Sequence, residues 1–347
     1  MNTKHFSTFS FFFFIVTQLL VSCSSEDSFV VCRVSEYDCD YQHKTNGIIS
    51  VTKGSSRRHY ILTEKGMKQA KIEEGEPIAF NPETGTAVVK QVTDSTIDVF
   101  AVDTRNGKML SSEISLKPKM TGKDGKTFFA VPTLLSACSM NNGTIVLLIN
   151  YEKPALIDSG AASESYDFLY VYEKGDVKKL KKYMFPYDEE PESGTEEKAN
   201  QYFWEEPKKI QCGEKNIYVF SERNYASGDL LFYNPQATWI LDKIDLGNDK
   251  EIKISTLAFI AYDNILLNNY SEKENSVYSV TQSSGKEKET AELRILRPDE
   301  DGENPEEPLE KEGGDFLFSE TSDGKPLVFF LKTRSHLEEQ RIELLPF

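Results

Sequence analysis

The chain has 347 residues and a net charge of −16, with 56 Asp and Glu residues against 40 Lys and Arg residues. So acidic a chain repels phosphate backbones, and it carries no basic stripe with interleaved aromatic residues, so nucleic acid is not expected as a partner. None of its 4 histidines lies at metal-ligand spacing from another, which leaves little material for a histidine zinc site or Ser-His catalysis. No cofactor is expected.

Residues 1–22 form an apolar leader that ends in a recognisable motif. The run from Phe6 to Val21 is too short to span a bilayer comfortably and is typical of a secretory signal. The sequence Leu20-Val21-Ser22-Cys23 resembles the lipobox of bacterial lipoproteins. The resemblance implies that Cys23 becomes the acylated N-terminus and that its acyl chains anchor the protein in the membrane. An ordinary secretory signal with a coincidental cysteine is the alternative.

Residues 23–28 are interpreted as a tether between the lipid and the folded domain, which we place at 29–347. The sequence Ser24-Ser25-Glu26-Asp27 is similar to the short acidic signal that sends lipoproteins of Bacteroidota to the cell surface. This similarity implies an outer-membrane lipoprotein in the cell envelope, either periplasmic or surface-exposed. The membrane is then a partner through the lipid on Cys23.

Four cysteines are left once Cys23 is assigned to lipid. Export makes disulfides possible, and Cys32 and Cys39 are near enough in sequence to close a small loop. Whether they are bridged is left open. Cys138 and Cys212 lie at matching places in two repeats, each just before a glycine-containing corner, and we interpret them as buried free thiols that act as small apolar residues.

The segment 97–116 has the pattern of a β-hairpin. Ile97, Val99 and Ala101 alternate with residues of the opposite face, which is the period of a strand. Asn106-Gly107 supplies the positive φ of a tight turn. A second strand with the same two-residue alternation is predicted from Leu110 to Leu116. Upstream, 77–80 and 86–89 supply two more strands. Together they predict a four-stranded meander, the blade of a β-propeller.

Similar units recur along the chain. Four-strand units are predicted at 132–185, 208–246 and 255–296, a less regular unit precedes them at 47–72, and a three-strand unit ends the chain at 315–345. An incomplete blade exposes unpaired backbone groups, so Phe29-Val30-Val31-Cys32 is predicted to supply its fourth strand. The expected fold is all-β, a single β-propeller of about six four-stranded blades closed by the N-terminal strand. A sandwich or two small β domains is the alternative.

The lipobox leader, the total length and the degenerate meander repeats without a WD or kelch signature resemble the six-bladed TolB-like propeller lipoproteins of Bacteroidota. The resemblance spans the whole chain, although only the lipobox is a specific motif. It implies an exported propeller with no established activity.

Four long connections, at 117–126, 153–166, 187–207 and 298–314, are predicted to share one end of the propeller. One of them carries six candidate ligand-binding residues, Asp188, Glu189, Tyr202, Phe203, Trp204 and Glu205. Aromatic rings flanked by carboxylates could stack on a sugar and bind its hydroxyls, or dock a basic partner. The alternative is a mobile acidic loop whose Phe203 and Trp204 pack where the next blade begins.

The sequence predicts no metal site. Asp299, Asp301 and Glu303 alternate like the start of an EF-hand loop, but the glycine and the terminal glutamate are misplaced. We therefore expect a binding or scaffold module for a glycan or an envelope protein rather than an enzyme. The alternative is a carbohydrate-active enzyme, a glycoside hydrolase or lyase, using carboxylates near the central channel. Glu76 and Asp315 are the nearest candidates, and both look like strand-edge residues.

Overall fold

The computed structural model describes residues 28–32, 39–93, 96–121, 127–153, 164–173, 176–184, 201–227, 238–245, 253–261, 265–283, 290–297, 308–332 and 340–346, at some strand positions by the backbone alone. The regular secondary structure of the described residues consists of β-strands, so the all-β prediction is confirmed. The leader, Cys23 and most of the tether lie outside the described residues. In the described part, no helix is long and apolar enough to cross a bilayer.

Within the described residues, the strands form six four-stranded antiparallel sheets and one short hairpin. The first strand, β1 (Ser28–Cys32), belongs to the last sheet. Sheet 1 contains β2 (Cys39–Thr45), β3 (Ile48–Lys53), β4 (Ser56–Thr63) and β5 (Gly66–Ala70). Sheet 2 contains β6 (Glu76–Asn81), β7 (Thr86–Val92), β8 (Ile97–Asp103) and β9 (Ile114–Leu116). The short hairpin consists of β10 (Lys119–Thr121) and β11 (Thr127–Phe129).

The remaining sheets follow in the same way. Sheet 3 contains β12 (Val131–Ser139), β13 (Ile145–Lys153), β14 (Glu164–Glu173) and β15 (Asp176–Met184). Sheet 4 contains β16 (Gln201–Cys212), β17 (Asn216–Ser227), β18 (Thr238–Asp245) and β19 (Lys253–Ala261). Sheet 5 contains β20 (Ile265–Ser271), β21 (Ser276–Ser283), β22 (Thr290–Leu296) and β23 (Leu309–Glu312). Sheet 6 contains β24 (Gly314–Glu320), β25 (Pro326–Lys332), β26 (Gln340–Leu345) and β1.

The N-terminal strand completes the sheet formed by the end of the chain. β1 pairs antiparallel with β26, so that Phe29 lies opposite Ile342 and Val30 opposite Arg341. The predicted pairing between these two parts of the sequence is confirmed. Cys32 ends β1 and Cys39 begins β2. Their side chains lie outside the described part, and so does any bridge between them.

The predicted repeat unit at 255–296 begins at the wrong strand. The strand at 253–261 was expected to open the fourth unit, but β19 is the last strand of sheet 4, and sheet 5 begins at β20 and ends with β23. The predicted strand at 229–233 lies outside the described residues. In the described part, β17 pairs directly with β18, with Arg223 opposite Thr238.

The hairpin at 97–116 is present, but its second strand is shorter than predicted. Gly107 adopts the expected positive φ of 77°. The returning strand, however, contains only Ile114–Leu116. The side chain of Ser111 explains the difference, because its Oγ accepts the backbone N–H of Ala101 at 2.9 Å and so takes the place of a ladder hydrogen bond.

Buried apolar clusters join each sheet to the next. In β7, Ala87 and Val89 pack with sheet 1, whereas Val88 between them packs with sheet 3, because successive side chains point to opposite faces. Equivalent clusters lie between sheets 3 and 4, 4 and 5, and 5 and 6. A further cluster contains Ile49 of sheet 1 and Phe329 of sheet 6. The sheets therefore pack in sequence, and sheet 6 also packs on sheet 1.

Candidate functional site

A cavity of about 1170 Å³ lies where the first strands of the sheets meet. All six sheets contribute to its wall, through β6, β12 and β16, the end of β24, and the turns after β2 and β20. Ligand pockets in proteins typically have volumes of several hundred to about 1000 Å³. The size and central position make this cavity the candidate functional site.

The first strands line the cavity and also contribute to the junctions between sheets. In β6, burial alternates strictly: Pro77, Ala79 and Asn81 are buried, whereas the residues between them are half-buried. Glu76 and Asn81, at the two ends of the strand, both line the cavity. Six residues of extended chain span about 17–20 Å, so the cavity follows most of the strand's length.

Five side chains from four sheets form a polar cluster in this region: Lys209 and Gln211 of β16, Glu320 of β24, Asn269 of β20, and Asn46 of the turn after β2. Lys209 Nζ donates to Asn46 Oδ1 at 3.4 Å, and the Asn46 amide donates in turn to Asn269 Oδ1. Gln211 Nε2 donates to Glu320 Oε1 at 3.2 Å. The cluster therefore links sheets 1, 4, 5 and 6 around the cavity.

Burial changes the proton affinities of both charged members of the cluster. It lowers the pKa of Lys209 to about 8, an effect that Glu320 opposes. It raises the pKa of Glu320 to about 7, which Lys209 opposes and Glu272 reinforces. Both side chains keep partial exposure because they face the cavity, while protein surrounds them on the other sides. Such shifted pKa values are common at functional sites.

Three other lysines in the cavity wall have carboxylate partners. Lys90 lies 3.4 Å from Glu76, Lys208 lies 3.3 Å from Glu222, and Lys273 lies 2.7 Å from Asp323. Lys209 contacts the amide oxygen of Asn46, and the nearby Glu320 carboxyl acts to raise its pKa. The Phe220 ring centroid lies 5.9 Å from Lys209 Nζ.

Hydrogen bonds between sheets tie the turns at one end of the cavity. Asn81 Nδ2 donates to the backbone carbonyl of Ser139 at 2.8 Å, which joins sheet 2 to sheet 3. The Glu272 carboxylate accepts the backbone N–H of Glu214 at 2.7 Å and the Tyr218 hydroxyl, which joins sheet 5 to sheet 4. These contacts hold the cavity wall in place without a ligand.

A disulfide joins Cys138 to Cys212, so their prediction as free thiols is wrong. Both cysteines lie near the ends of the first strands of their sheets, and these strands pack side by side with Cα atoms 5.5 Å apart. Matching positions in consecutive repeats became neighbours when the sheets packed. The matching positions of Cys138 and Cys212 in consecutive repeats were therefore the sequence signal for the bridge.

The predicted aromatic residues lie in a strand instead of a loop. Tyr202, Phe203, Trp204 and Glu205 belong to β16, which begins at Gln201 and pairs with β17. Because β18 begins opposite Arg223, the pairs formed by 201–204 extend past the third strand of the sheet. The side chains of these four candidates, and all of Asp188 and Glu189, lie outside the described part.

The two carboxylate candidates both lie at the start of a strand, but they differ in their relation to the cavity. Glu76 lines the cavity, whereas Asp315 is exposed at the start of β24 and does not line it. Glu320, at the other end of β24, is the carboxylate in the polar cluster, and the sequence analysis missed it. It also missed Lys209, because only the fold shows that this residue of the Lys208-Lys209 pair belongs to the polar cluster.

The long connections do not all leave from one end. The stretch at 117–126 includes β10, which pairs with β11 after it. The stretch at 298–314 includes β23, so the connection that precedes it joins the third and fourth strands of sheet 5. In a meander that connection leaves from the opposite end to a link between sheets. Asp299, Asp301 and Glu303 lie outside the described residues.

A buried Ser-His pair occurs in sheet 1. His59 Nδ1 lies 2.8 Å from Ser50 Oγ across the paired strands β3 and β4. Burial lowers the pKa of His59 to about 4, and Arg57 adds to the effect. Both residues are buried and neither lines the cavity. The pair therefore satisfies polar groups inside the sheet, and we assign it no catalytic role.

No protein-family model and no curated protein matches the chain. Among solved structures, it is similar to an ulvan lyase from a new polysaccharide-lyase family, with 10% identity and a TM-score of 0.40 over 88% of this chain and 77% of the other.

It is similar to a subtype N10 neuraminidase-like protein of A/little yellow-shouldered bat/Guatemala, with 9% identity and a TM-score of 0.42 over 94% of this chain and 100% of the other. A third similar structure is the hydrazine synthase of Kuenenia stuttgartiensis, with 12% identity and a TM-score of 0.37 over 87% of this chain and 80% of the other. With TM-scores below 0.5, these similarities support no conclusion about this chain.

Proposed function

We propose that this chain is an exported lipoprotein of the outer membrane, similar to the TolB-like propellers, and that it binds a glycan in the central cavity of a six-bladed β-propeller without acting on it. The observation that carries the proposal is the cavity itself, which all six sheets line and in which Lys209, Gln211 and Glu320 meet.

The arrangement of the sheets supports a closed propeller. Each sheet is a four-stranded meander, consecutive sheets share apolar clusters, and one cluster joins sheet 6 to sheet 1. The pairing of β1 with β26 gives the last sheet its fourth strand. A sandwich would instead pack its strands into two facing layers.

The disulfide supports export, because disulfides persist in oxidising compartments and are rare in the cytosol. The lipobox at Cys23 supports a lipid anchor. Intact-mass measurement of the mature protein tests this part. We expect chains that begin at Cys23 and carry acyl groups, and a Cys23→Ala variant without them. An unmodified mature chain would overturn the anchor.

The chemistry of the cavity wall supports a polyhydroxylated ligand. Amide and hydroxyl side chains line it, including Asn81, Asn142 and Ser136, together with the aromatic rings of Phe80 and Trp239. Amides and hydroxyls donate and accept hydrogen bonds as sugar hydroxyls require, and aromatic rings pack against sugar faces.

A glycan array with a cavity-narrowing variant tests the binding site. Leu135 lines the cavity and is 40% exposed, so Leu135→Trp should fill space without creating a hole in the core. Met109 is 51% exposed and does not line the cavity, so Met109→Trp is the control. We expect saturable binding that Leu135→Trp abolishes and Met109→Trp preserves. Binding that survives Leu135→Trp but is lost in Trp204→Ala would instead assign the ligand to the aromatic residues of β16.

A carbohydrate-active enzyme is the second candidate, and Glu320 is the observation that favours it. A carboxyl whose pKa is raised to about 7 holds a proton near neutral pH, as a general acid must. A hydrolysis and elimination screen on the bound glycan separates the two candidates. Turnover that is lost in Glu320→Gln would replace the binding module with an enzyme, and binding without turnover supports the binding module.

A further inference from the structure

A smaller pocket adjoins the central cavity at sheet 1, and we call it the side pocket. Its volume is about 370 Å³, and sheets 1, 2 and 6 form its wall through 61–65, Phe80, Pro82, 320–322 and Leu327. The residues that it shares with the wall of the central cavity are Phe80, Pro82 and 320–322. A ligand in the central cavity therefore lies next to the side pocket along these shared residues.

The side pocket follows from the lengths of three neighbouring turns. Sheet 1 packs between sheets 6 and 2, and only two residues, 46–47, join its first two strands. The corresponding turns have four residues in sheet 2, at 82–85, and five in sheet 6, at 321–325. Longer turns extend further past the ends of their strands, so a recess remains above sheet 1 between them.

Contacts around the short turn of sheet 1 fix the walls of the side pocket. The N–H of Gly47 donates to the Phe318 carbonyl at 2.7 Å, and the Gly47 carbonyl accepts the Leu62 N–H at 2.8 Å. Ser319 Oγ donates to the Leu62 carbonyl at 2.9 Å. Gly47 has a φ of 78°, and a Cβ atom there would lie 2.8 Å from Phe80 Cδ1, so glycine lets the Phe80 ring pack against the turn. Leu62 and Phe80, which both line the side pocket, are therefore held in place without a ligand.

Apolar side chains supply the inner wall of the side pocket. Ile61, Leu62 and Leu327 are buried, and Phe80 and Pro82 are half-buried. An apolar protein cavity of about 150 Å³ is large enough to hold benzene. The side pocket therefore has room for an aromatic ring or a short alkyl chain.

The polar residues of the side pocket have partners in their own turns or face solvent. Thr63 Oγ1 donates to the Gly66 carbonyl at 2.7 Å, and Thr321 Oγ1 accepts the backbone N–H of Lys325 at 2.9 Å. The charged residues at 64–65 are exposed, so water can hydrate them. A ligand group that enters the side pocket is therefore not required to supply hydrogen bonds.

We propose that the side pocket binds an apolar substituent of the sugar held in the central cavity, so that the protein prefers glycosides with an aryl or short alkyl group. This inference rests on the proposed glycan-binding function and names the class of glycan. The sugar hydroxyls contact the amides and hydroxyls of the central cavity, and the apolar group packs on Phe80 and Leu327. Transfer of that group from water into the side pocket supplies the gain in affinity.

Titration calorimetry with paired methyl and phenyl β-glycosides tests the inference in the intact mature protein. The pairs are those of D-glucose, D-galactose, N-acetyl-D-glucosamine and the terminal sugar of the tightest ligand on the glycan array. For each sugar that binds, we expect the phenyl glycoside to bind at least tenfold more tightly than the methyl glycoside. Equal affinities within the pairs would overturn the inference. Phenol that binds as tightly as the phenyl glycosides would also overturn it, because the sugar would then contribute nothing.

Two substitutions of Thr63 locate the apolar group. Thr63 lines the side pocket but not the central cavity, and both Thr63→Trp and Thr63→Val remove its hydroxyl. Thr63→Trp also fills the side pocket, so it should reduce the affinity for the phenyl glycoside at least tenfold and leave the methyl glycoside unchanged. Thr63→Val is the matched control and should keep the wild-type preference. A folded Thr63→Trp protein with the wild-type preference would overturn the assignment.

Nuclear Overhauser contacts in the wild-type complex locate the group without a variant. Leu327 lines the side pocket but not the central cavity, and Leu135 lines the central cavity but not the side pocket. We expect contacts between the phenyl protons of the bound glycoside and the methyl groups of Leu327. Contacts with Leu135 and none with Leu327 would overturn the assignment.

The outcomes separate this inference from the proposed function. If glycans bind in the central cavity while methyl and phenyl glycosides bind equally, the preference for apolar substituents is wrong and the glycan-binding module stands. If no saccharide binds, on the array or as a glycoside, the proposed function itself fails.

Discussion

The junctions between sheets and the cavity that the sheets surround differ in chemistry although the same strands build both. In β16, Ile210 packs in the cluster between sheets 3 and 4, whereas Lys209 and Gln211 on either side of it belong to the polar cluster. The two-residue period of a strand makes this division possible. We therefore expect substitutions of junction residues to affect stability more than substitutions in the polar cluster do.

The largest effect is expected from a substitution in a junction. Phe329 is fully buried in the cluster between sheets 6 and 1, so Phe329→Ala should lower the free energy of unfolding by about 3–5 kcal/mol. Phe129 is 59% exposed, and Phe129→Ala is the matched control, expected within about 0.5 kcal/mol of the wild type. Urea unfolding measures both. Equal losses would contradict the division between junction and surface.

Removal of the disulfide should have the next largest effect. Cys138 and Cys212 are separated by 74 positions, and a cross-link that closes a loop of this length stabilises a protein by about 4 kcal/mol in the chain-entropy model. The double variant Cys138→Ser with Cys212→Ser should lose that amount, and a reducing agent should destabilise the wild type but not the variant. A wild type that is insensitive to reduction would contradict the assigned bridge.

A smaller effect is expected in the cavity, and it depends on pH. The folded-state pKa of Glu320 is about 7 against an ordinary value of 4.5. The folded state therefore binds the proton more tightly than the unfolded state, and stability falls as the pH rises from 4.5 to 7. Glu320→Gln should remove about 1–3 kcal/mol of this loss, because glutamine is neutral at every pH. Lys209, with a pKa of about 8, is charged throughout this window.

The difference between wild type and Glu320→Gln isolates this contribution, since all other titrating groups are common to both proteins. Thermal or urea unfolding at pH 4.5, 5.5, 6.5 and 7.5 measures it. A constant difference across the range would show that Glu320 titrates normally and would weaken the argument that the cavity perturbs it.

The smallest effect is expected at the rim of the cavity. A Cβ atom at Gly213 would lie 2.2 Å from the Glu272 carboxyl carbon, so Gly213→Ala must displace that side chain. The Glu272 carboxylate would then lose its contact with the Glu214 N–H, at a cost of about 1 kcal/mol. A double-mutant cycle with Glu272→Ala checks the cause, because the alanine at 213 should cost less once the carboxylate is absent. Additive costs would contradict the proposed clash.

The sequence predicted the local parts of this fold better than the parts that depend on packing. Alternation and turn residues located most hairpins, and the missing strand of the last unit identified β1 as its partner. The boundary between sheets 4 and 5 was not predicted, because a strand pattern does not show which neighbour a strand such as β19 pairs with.

Most residues of the candidate site could not be predicted from the sequence. Lys209 and Glu320 come from sheets 4 and 6, and their shifted pKa values arise from burial that only the packed sheets create. The aromatic residues Tyr202, Phe203 and Trp204 form a recognisable pattern because they are consecutive in the sequence. The residues of the polar cluster are far apart in the sequence and form no such pattern. The disulfide between Cys138 and Cys212 was missed for the same reason, because only the packing of sheets 3 and 4 brings these two positions together.

The pairing of β1 with β26 has a consequence for how the protein matures. Sheet 6 combines β1 with three strands that follow about 280 residues later in the sequence, so it cannot be completed before both parts have been synthesised. The other five sheets each use one continuous stretch of chain and can form earlier. Because contacts between distant parts of a sequence form slowly, the joining of the two ends should be the final and slowest step of folding.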